Sequence, residues 1–155
     1  MSVGKPDQIA IWLPLAVSAG AVVATIAIHA LAVIATVNFV RRERRLGRTG
    51  AGFWPDVSIV GVAICLAFVA HLIEIGVWAA LFMLCGEFRT FAPAFDHSAV
   101  NYTTLGYGNV IMTPSWRLLG PLEAATGMLM FGVSTAILFA VIQRLLLSRF
   151  ADLRM

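Results

Sequence analysis

The feature that most constrains this chain is its division into three long apolar runs. From Ile9 to Val40 there is no Asp, Glu, Lys or Arg, and two further apolar runs extend over about 57–86 and 116–147. About 20 apolar residues in a helix are enough to cross the hydrocarbon core of a bilayer. Only 12% of the residues are charged, against about 25% in soluble domains. The sequence therefore predicts an integral membrane protein with three transmembrane helices.

The arginines near the ends of these runs predict the orientation of the chain. Five lie in the loop after the first run and three lie at or beyond the end of the third: Arg41, Arg42, Arg44, Arg45, Arg48, Arg144, Arg149 and Arg154. Cytoplasmic loops carry an excess of basic residues, so we expect the loop 41–56 and the C-terminus in the cytoplasm and the N-terminus outside. This clustering indicates a topology signal, with attraction of anionic lipid headgroups as a compatible second role, and no nucleic-acid partner.

The segment 87–115, between the second and third runs, is too polar to be a span. Residues 96–104 can form a short helix with Asp96 or Ser98 as its cap, and two glycines that flank a tyrosine follow it. Glycine permits backbone conformations that a side chain would resist. Irregular backbone at membrane depth is tolerated only where it is buried in protein or lines a water-filled path. We therefore predict a re-entrant segment here.

The stretch Thr104-Leu105-Gly106-Tyr107-Gly108 resembles the selectivity filter of tetrameric potassium channels. Its context is similar as well, because an outward span and a short helix precede the stretch and an inward span follows it. The resemblance covers roughly 57–147 and implies the single-pore-loop unit of bacterial ion channels, to which this chain adds an N-terminal helix. It implies an all-α membrane fold with three transmembrane helices, a re-entrant pore helix and a selectivity filter. We expect the protein in the bacterial inner (cell) membrane.

The resemblance divides the chain into an N-terminal helix with its basic loop and a pore domain. The first part covers 1–48 and the pore domain covers 49–155. Within the pore domain we expect an outer helix at 57–86, a pore loop at 87–115, an inner helix at 116–147 and a short cytoplasmic tail.

The function that the resemblance implies is passive conduction of K⁺ through a homotetramer. Four copies of the carbonyl oxygens of Thr104, Leu105, Gly106 and Tyr107 would replace the hydration shell of the ion. We expect no cofactor besides K⁺ in the filter, no enzymatic activity, and no partners besides further copies of the chain and membrane lipids.

Some residues around the filter differ from the usual family pattern. Leu105 replaces the commoner valine, and Asn109 replaces the commoner aspartate. Val100 stands where some members carry a glutamate that supports that aspartate. We expect filter support from Thr103, Val100, Asn109 and Glu123. Leu105 and Asn109 leave open a weakly selective monovalent cation channel as an alternative. A second alternative is a non-conducting membrane scaffold or regulatory subunit, in which the extra helix docks a partner and the filter is vestigial.

Candidates for gating lie in the third run: Gly127, Gly132, Phe131, Thr135 and Phe139. The two glycines are either hinges or sites of close helix packing, because small residues let membrane helices approach one another. Phe131, Thr135 and Phe139 are spaced by four residues. They therefore share one helical face, which either lines the cavity or packs against other helices.

Ionisable residues inside the spans are costly and mark paired or functional positions. His71 and Glu74 are three residues apart, so they lie on one face of the second helix. We interpret them as a buried polar pair that fastens this helix to a neighbour, with a proton-sensitive element as the alternative. His29, in the first run, is interpreted as a hydrogen-bonding residue between helices.

Overall fold

The structure is a computed structural model that describes residues 11–106 and 110–150. Its four helices are α1 Trp12–Arg45, α2 Phe53–Leu84, α3 Phe91–Tyr102 and α4 Leu119–Arg149. Helices α1, α2 and α4 are long and apolar enough to cross a membrane, whereas α3 has 12 residues. Within the described ranges there is no strand. The predicted all-α arrangement of three membrane helices and one short helix is confirmed.

Each of the four described helices has a proline as its third residue: Pro14, Pro55, Pro93 and Pro121. The first four N–H groups of a helix have no partner within it, so the missing N–H of proline costs nothing there. Its fixed φ also suits the first turn. Helix α2 begins at Phe53 and helix α4 at Leu119, whereas the predicted starts were 57 and 116. In both helices the proline stands in the first turn of the observed helix.

The C-terminal ends of the long helices also differ from prediction. Helix α1 continues to Arg45, so four of the arginines assigned to the loop lie in its last turns. Arginine is a good helix former and is favoured near the negative end of the helix dipole. Helix α2 ends at Leu84 instead of 86, and α4 continues to Arg149 instead of 147.

Helices α1 and α2 each end in the same hydrogen-bonded cap with a left-handed glycine. At the end of α1, Gly47 N donates to Arg44 O and Arg48 N donates to Glu43 O, both at 3.0 Å. At the end of α2, Gly86 N donates to Met83 O over 3.0 Å. The φ angles of Gly47 and Gly86 are 68° and 80°. Both ends therefore have the Schellman motif, in which glycine is the usual residue.

The described residues form two units, and the first contains α3. This unit comprises the described residues of Met1–Ile26 and Ile73–Leu129. Its largest fully buried apolar side chains are Trp78, Phe82, Tyr102 and Leu119. It therefore holds α3 together with the parts of α2 and α4 that lie next to it in sequence.

The second unit comprises Ala27–Leu72 and the described residues of Met130–Met155. Its apolar core contains Ile59, Val141 and Leu145, with Phe39, Val40 and Val60 packed against them. The linker between α1 and α2 lies against the last turn of α4. A Cβ atom added to Gly50, whose φ is 76°, would lie 3.2 Å from atoms of Ser148 and Arg149. Only glycine fits this approach without displacement of the helix.

Candidate functional site

Helix α3 starts before the predicted short helix. It begins at Phe91, with Thr90 in the N-cap position and Pro93 in the first turn. Asp96 and Ser98 therefore lie inside the helix, and the prediction that one of them caps it was wrong. The hydroxyl of Ser98 is engaged elsewhere, as described below.

Helix α3 ends in the cap seen in α1 and α2, but with threonine in place of glycine. Thr104 N donates to Asn101 O over 2.9 Å, and Leu105 N donates to Val100 O over 3.0 Å. Thr104 occupies the left-handed position with a φ of 58°. A β-branched residue is an outlier in that region. Such local strain is concentrated at functional sites, where the surrounding structure maintains it.

The predicted filter begins inside this cap. Thr104, Leu105 and Gly106 are exposed on the single chain, and Gly106 has a φ of 76° that favours glycine. Tyr107, Gly108 and Asn109 lie outside the described residues. The K⁺-coordinating role of the carbonyl groups thus stays a prediction.

Tyr102, the last residue of α3, forms a hydrogen bond with α2. Its hydroxyl donates to Glu74 Oε2, and both side chains are fully buried. Burial and the hydrogen bond to Glu74 raise the pKa of the tyrosine hydroxyl above its ordinary value. The hydroxyl therefore keeps its proton and remains the donor. This bond fixes the C-terminal end of α3, two residues before the predicted filter.

Ser98, one turn earlier, joins α3 to both α2 and α4. Its Oγ donates to Ile75 O over 2.8 Å and is also hydrogen-bonded to Glu123 Oε1. Ser98 and Glu123 are fully buried. A serine hydroxyl has one proton, so it cannot donate to both acceptors at once. Both bonds are satisfied together when Glu123 carries a proton and donates to Ser98.

Helix α3 also approaches the backbone of α4 closely at Gly127. A Cβ atom added there would overlap the carbonyl oxygen of Tyr102 and would lie 3.0 Å from its carbonyl carbon. Gly127 thus has a close-packing role within this unit. By contrast, a Cβ atom added to Gly132 would have no atom within 4 Å.

The segments on either side of the predicted filter are joined by Glu87 and Thr113. The Thr113 N–H donates to Glu87 Oε2 over 3.0 Å, and its hydroxyl donates to Glu87 Oε1 over 2.5 Å. Trp116 N and Arg117 N donate to the carbonyl oxygen of Thr113 over 3.0 and 2.9 Å. Glu87 therefore holds the turn that leads into α4. The exposed side chains of Arg89 and Arg117 lie on these same two segments.

His97 on α3 lies in an aromatic cluster. Its ring centroid is 5.4 Å from that of Phe82 and 5.1 Å from that of Phe88. The buried Nε2 atom has no hydrogen-bond partner among the described residues. Burial lowers the pKa of His97, while the charges of Asp96 and Glu87 oppose this effect. The neutral imidazole is the form that fits this environment.

In the second unit, two histidines share one serine hydroxyl. Ser134 Oγ lies 3.0 Å from His71 Nε2 and 3.2 Å from His29 Nε2, and all three residues are buried. The ring of His71 also lies against that of the gating candidate Phe131, with centroids 4.5 Å apart. Since Ser134 can donate to one ring and accept from the other, one hydroxyl satisfies both. His29 thus has the hydrogen-bonding role expected of it.

The structure therefore distributes the predicted site residues over several positions. Glu123 contacts α3 through Ser98, and Glu74 contacts it through Tyr102. Thr103 donates its hydroxyl to Ala99 O over 2.7 Å. Thr135 and Phe139 are exposed on α4 of the single chain, and their gating role stays a prediction.

Three residues of this site were not predicted from the sequence. Tyr102 and Glu87 were not considered, and Ser98 was considered only as a cap. The available signal was a set of polar side chains in a strongly apolar chain, since each buried polar group needs a partner.

Residues 70–144 match a family model described as an ion channel. The matched range begins within α2, includes α3 and the predicted filter, and ends within α4. A comparison with curated proteins and one with solved structures gave no match. The matched range is slightly under half of the chain, so it shows a similarity to ion channels over that range. The three long apolar helices make the chain an integral membrane protein, and the predicted all-α membrane fold is confirmed, with a match that is consistent with the pore fold of potassium channels.

Proposed function

We propose that this protein is a potassium-selective channel that conducts K⁺ passively through a homotetramer. The observation that carries the proposal is the position of Thr104-Leu105-Gly106-Tyr107-Gly108. The stretch starts in the C-terminal cap of α3, within the range that matches the ion channel family. In the proposed filter, backbone carbonyl groups of four chains replace the water around the ion.

A filter of this kind needs a fixed backbone, and the contacts of α3 supply the support. Tyr102 is bound to Glu74 on α2, and Ser98 is bound to Ile75 on α2 and to Glu123 on α4. These buried bonds hold the helix end from which the filter emerges. The C-terminal end of a helix carries a partial negative charge, which favours a cation nearby.

The tetramer follows from the geometry of coordination, because each chain has one filter segment. The single chain also leaves large apolar side chains of α4 exposed, among them Met128, Leu129 and Phe139. Lipid and neighbouring chains are the two surroundings that can cover such a surface in a membrane. The arginines at the C-terminal ends of α1 and α4 favour an orientation in which these two helix ends lie in the cytoplasm. The N-terminus of the chain then lies outside.

The decisive experiment is an ion flux measurement on the full chain reconstituted in liposomes. We expect K⁺ flux well above Na⁺ flux, and a bi-ionic reversal potential displaced toward the K⁺ equilibrium value. Comparable permeation of the two ions would identify a weakly selective cation channel. This alternative is suggested by Leu105 and Asn109, which differ from the usual residues of potassium channel filters. A folded tetramer without any flux would identify the scaffold alternative.

A matched pair of glycine variants tests whether the filter segment is responsible. Gly106 and Gly86 have similar left-handed φ angles of 76° and 80°. Alanine at either position is therefore strained to a similar degree. Gly106→Ala should abolish K⁺ flux or selectivity, whereas Gly86→Ala, outside the filter, should leave selectivity unchanged. Equal effects of the two variants on selectivity would contradict the assignment of the filter.

A further inference from the structure

A groove of about 310 Å³ in the second unit is lined by the C-terminal parts of α1 and α4. Its apolar wall is formed by five side chains: Val37, Val40, Ile137, Ala140 and Val141. Three arginines, Arg41, Arg44 and Arg144, line the same groove. One cavity thus combines an apolar wall with three positive charges.

The two helices present the same pattern of residues to the groove. On α1 the lining residues occur at 37, 40, 41 and 44, and on α4 they occur at 137, 140, 141 and 144. This is the spacing of one helical face. On both helices the apolar positions come first and arginine comes last, toward the helix end. The groove is therefore apolar along its length and basic at the end where α1 and α4 terminate.

The three arginines are available to a ligand. All are exposed, and none has a carboxylate partner among the described residues. The ion pair of this region, between Arg48 and Glu43 at 3.3 Å, does not involve them. Guanidinium groups bind phosphate oxygens through paired hydrogen bonds. Three exposed guanidinium groups at the mouth of an apolar groove are complementary to an anionic amphiphile.

We propose that this groove binds one anionic phospholipid, with its phosphate on Arg41, Arg44 and Arg144 and an acyl chain along the apolar wall. A free phosphate ion would leave the wall uncovered. A zwitterionic lipid would bring an ammonium group toward three positive charges. The site goes beyond ion conduction, and its occupancy can be measured whether or not the protein conducts.

The test is a lipid titration of the full purified chain in detergent, with bound lipid counted by native mass spectrometry. We expect phosphatidylglycerol to saturate at one tightly held molecule per chain, and phosphatidylcholine to bind much more weakly. The double variant Arg44→Ala/Arg144→Ala should weaken phosphatidylglycerol binding roughly 30-fold, because each arginine near anionic lipid contributes about 1 kcal/mol.

The matched control is Arg42→Ala/Arg45→Ala, which removes the same charge from residues that do not line the groove. It should leave the affinity near that of the unmodified chain. Equal losses in the two double variants would show diffuse attraction and overturn the site. Absence of tight phosphatidylglycerol binding to the unmodified chain would also overturn the site.

Two further measurements test the contribution of the apolar wall. Ala140→Trp fills the groove without a change in charge, and Ala140 is exposed on the single chain, so the variant should fold but bind the lipid weakly. Soluble glycerol phosphate should not displace the lipid. Displacement by glycerol phosphate, or unchanged lipid affinity in a folded Ala140→Trp variant, would show that the arginines bind phosphate alone.

Discussion

The hydroxyl of Tyr102 donates a hydrogen bond to the carboxylate of Glu74, and neither side chain is exposed. This bond joins the last residue of α3 to the middle of a membrane helix. A polar group inside a membrane is costly unless it is satisfied. The two residues therefore depend on each other, and the end of α3 has a defined position with respect to α2.

Tyr102→Phe removes the donor and leaves the ring in place. We expect a loss of about 1–3 kcal/mol in the free energy of unfolding, because a buried acceptor loses a partner. Thermal unfolding of the purified protein, followed by tryptophan fluorescence, measures it. Glu74→Gln keeps an acceptor for the tyrosine and should be milder. If Tyr102→Phe is as stable as the unmodified protein, the bond is not required at this position.

Gly127→Ala should prevent normal packing of α3 against α4. The added methyl group would overlap the carbonyl oxygen of Tyr102, and overpacking of this kind costs about 1–3 kcal/mol or more. Gly132→Ala, with open space around it, is the matched control. We expect a lower yield of folded protein and a lower unfolding temperature for Gly127→Ala, and no such change for Gly132→Ala. Equal behaviour would favour a hinge role for both glycines.

Glu123→Gln should be tolerated better than Glu123→Ala. Glutamine presents an amide N–H that can donate to Ser98, as a protonated glutamate does, whereas alanine leaves a cavity and removes one of the two hydrogen-bond partners of the Ser98 hydroxyl. We expect Glu123→Gln to keep K⁺ flux near its normal level and Glu123→Ala to reduce both flux and thermal stability. A glutamine variant as impaired as the alanine variant would show that Glu123 must be charged.

Acid should destabilise the protein in part through His97. Its pKa is lowered in the folded state by burial, whereas an unfolded histidine titrates near about 6.5. Between these two values the unfolded state binds more protons, so stability falls as the pH decreases through this window. Unfolding temperatures measured from about pH 7 to about pH 5 should fall.

The variant His97→Phe, which places a third phenylalanine beside Phe82 and Phe88, should reduce this acid dependence. The test compares the slope of unfolding temperature against pH in the variant and in the unmodified protein. Other titrating groups contribute equally to both slopes, so the difference between them reports on His97. Parallel slopes in the variant and the unmodified protein would exclude His97 as a source of the effect.

The sequence was sufficient to predict the membrane helices and the short helix between the second and third of them. Long apolar runs without charge leave few alternatives in a chain of this composition. The helix boundaries were predicted less well, because the prolines at the third positions of α2, α3 and α4 were not used as start signals. The structure shows that Pro55, Pro93 and Pro121 mark these starts within two residues.

The contacts of α3 could not be predicted from the sequence. Glu123 was expected to support the filter and Glu74 to form a polar pair, but the partners Ser98 and Tyr102 depend on how three helices pack. Sequence spacing determines which residues share a helical face, not which face meets a neighbour. The left-handed conformation of Thr104 was also unforeseen, because threonine rarely takes the place of glycine in such a cap.

The contact of Gly50 with the last turn of α4 has a mechanical consequence. The end of α4 has little room to move toward the linker after α1, because even a Cβ atom added to Gly50 would lie 3.2 Å from backbone atoms of Ser148 and Arg149. A displacement of that helix end toward the linker would therefore require the linker to move as well.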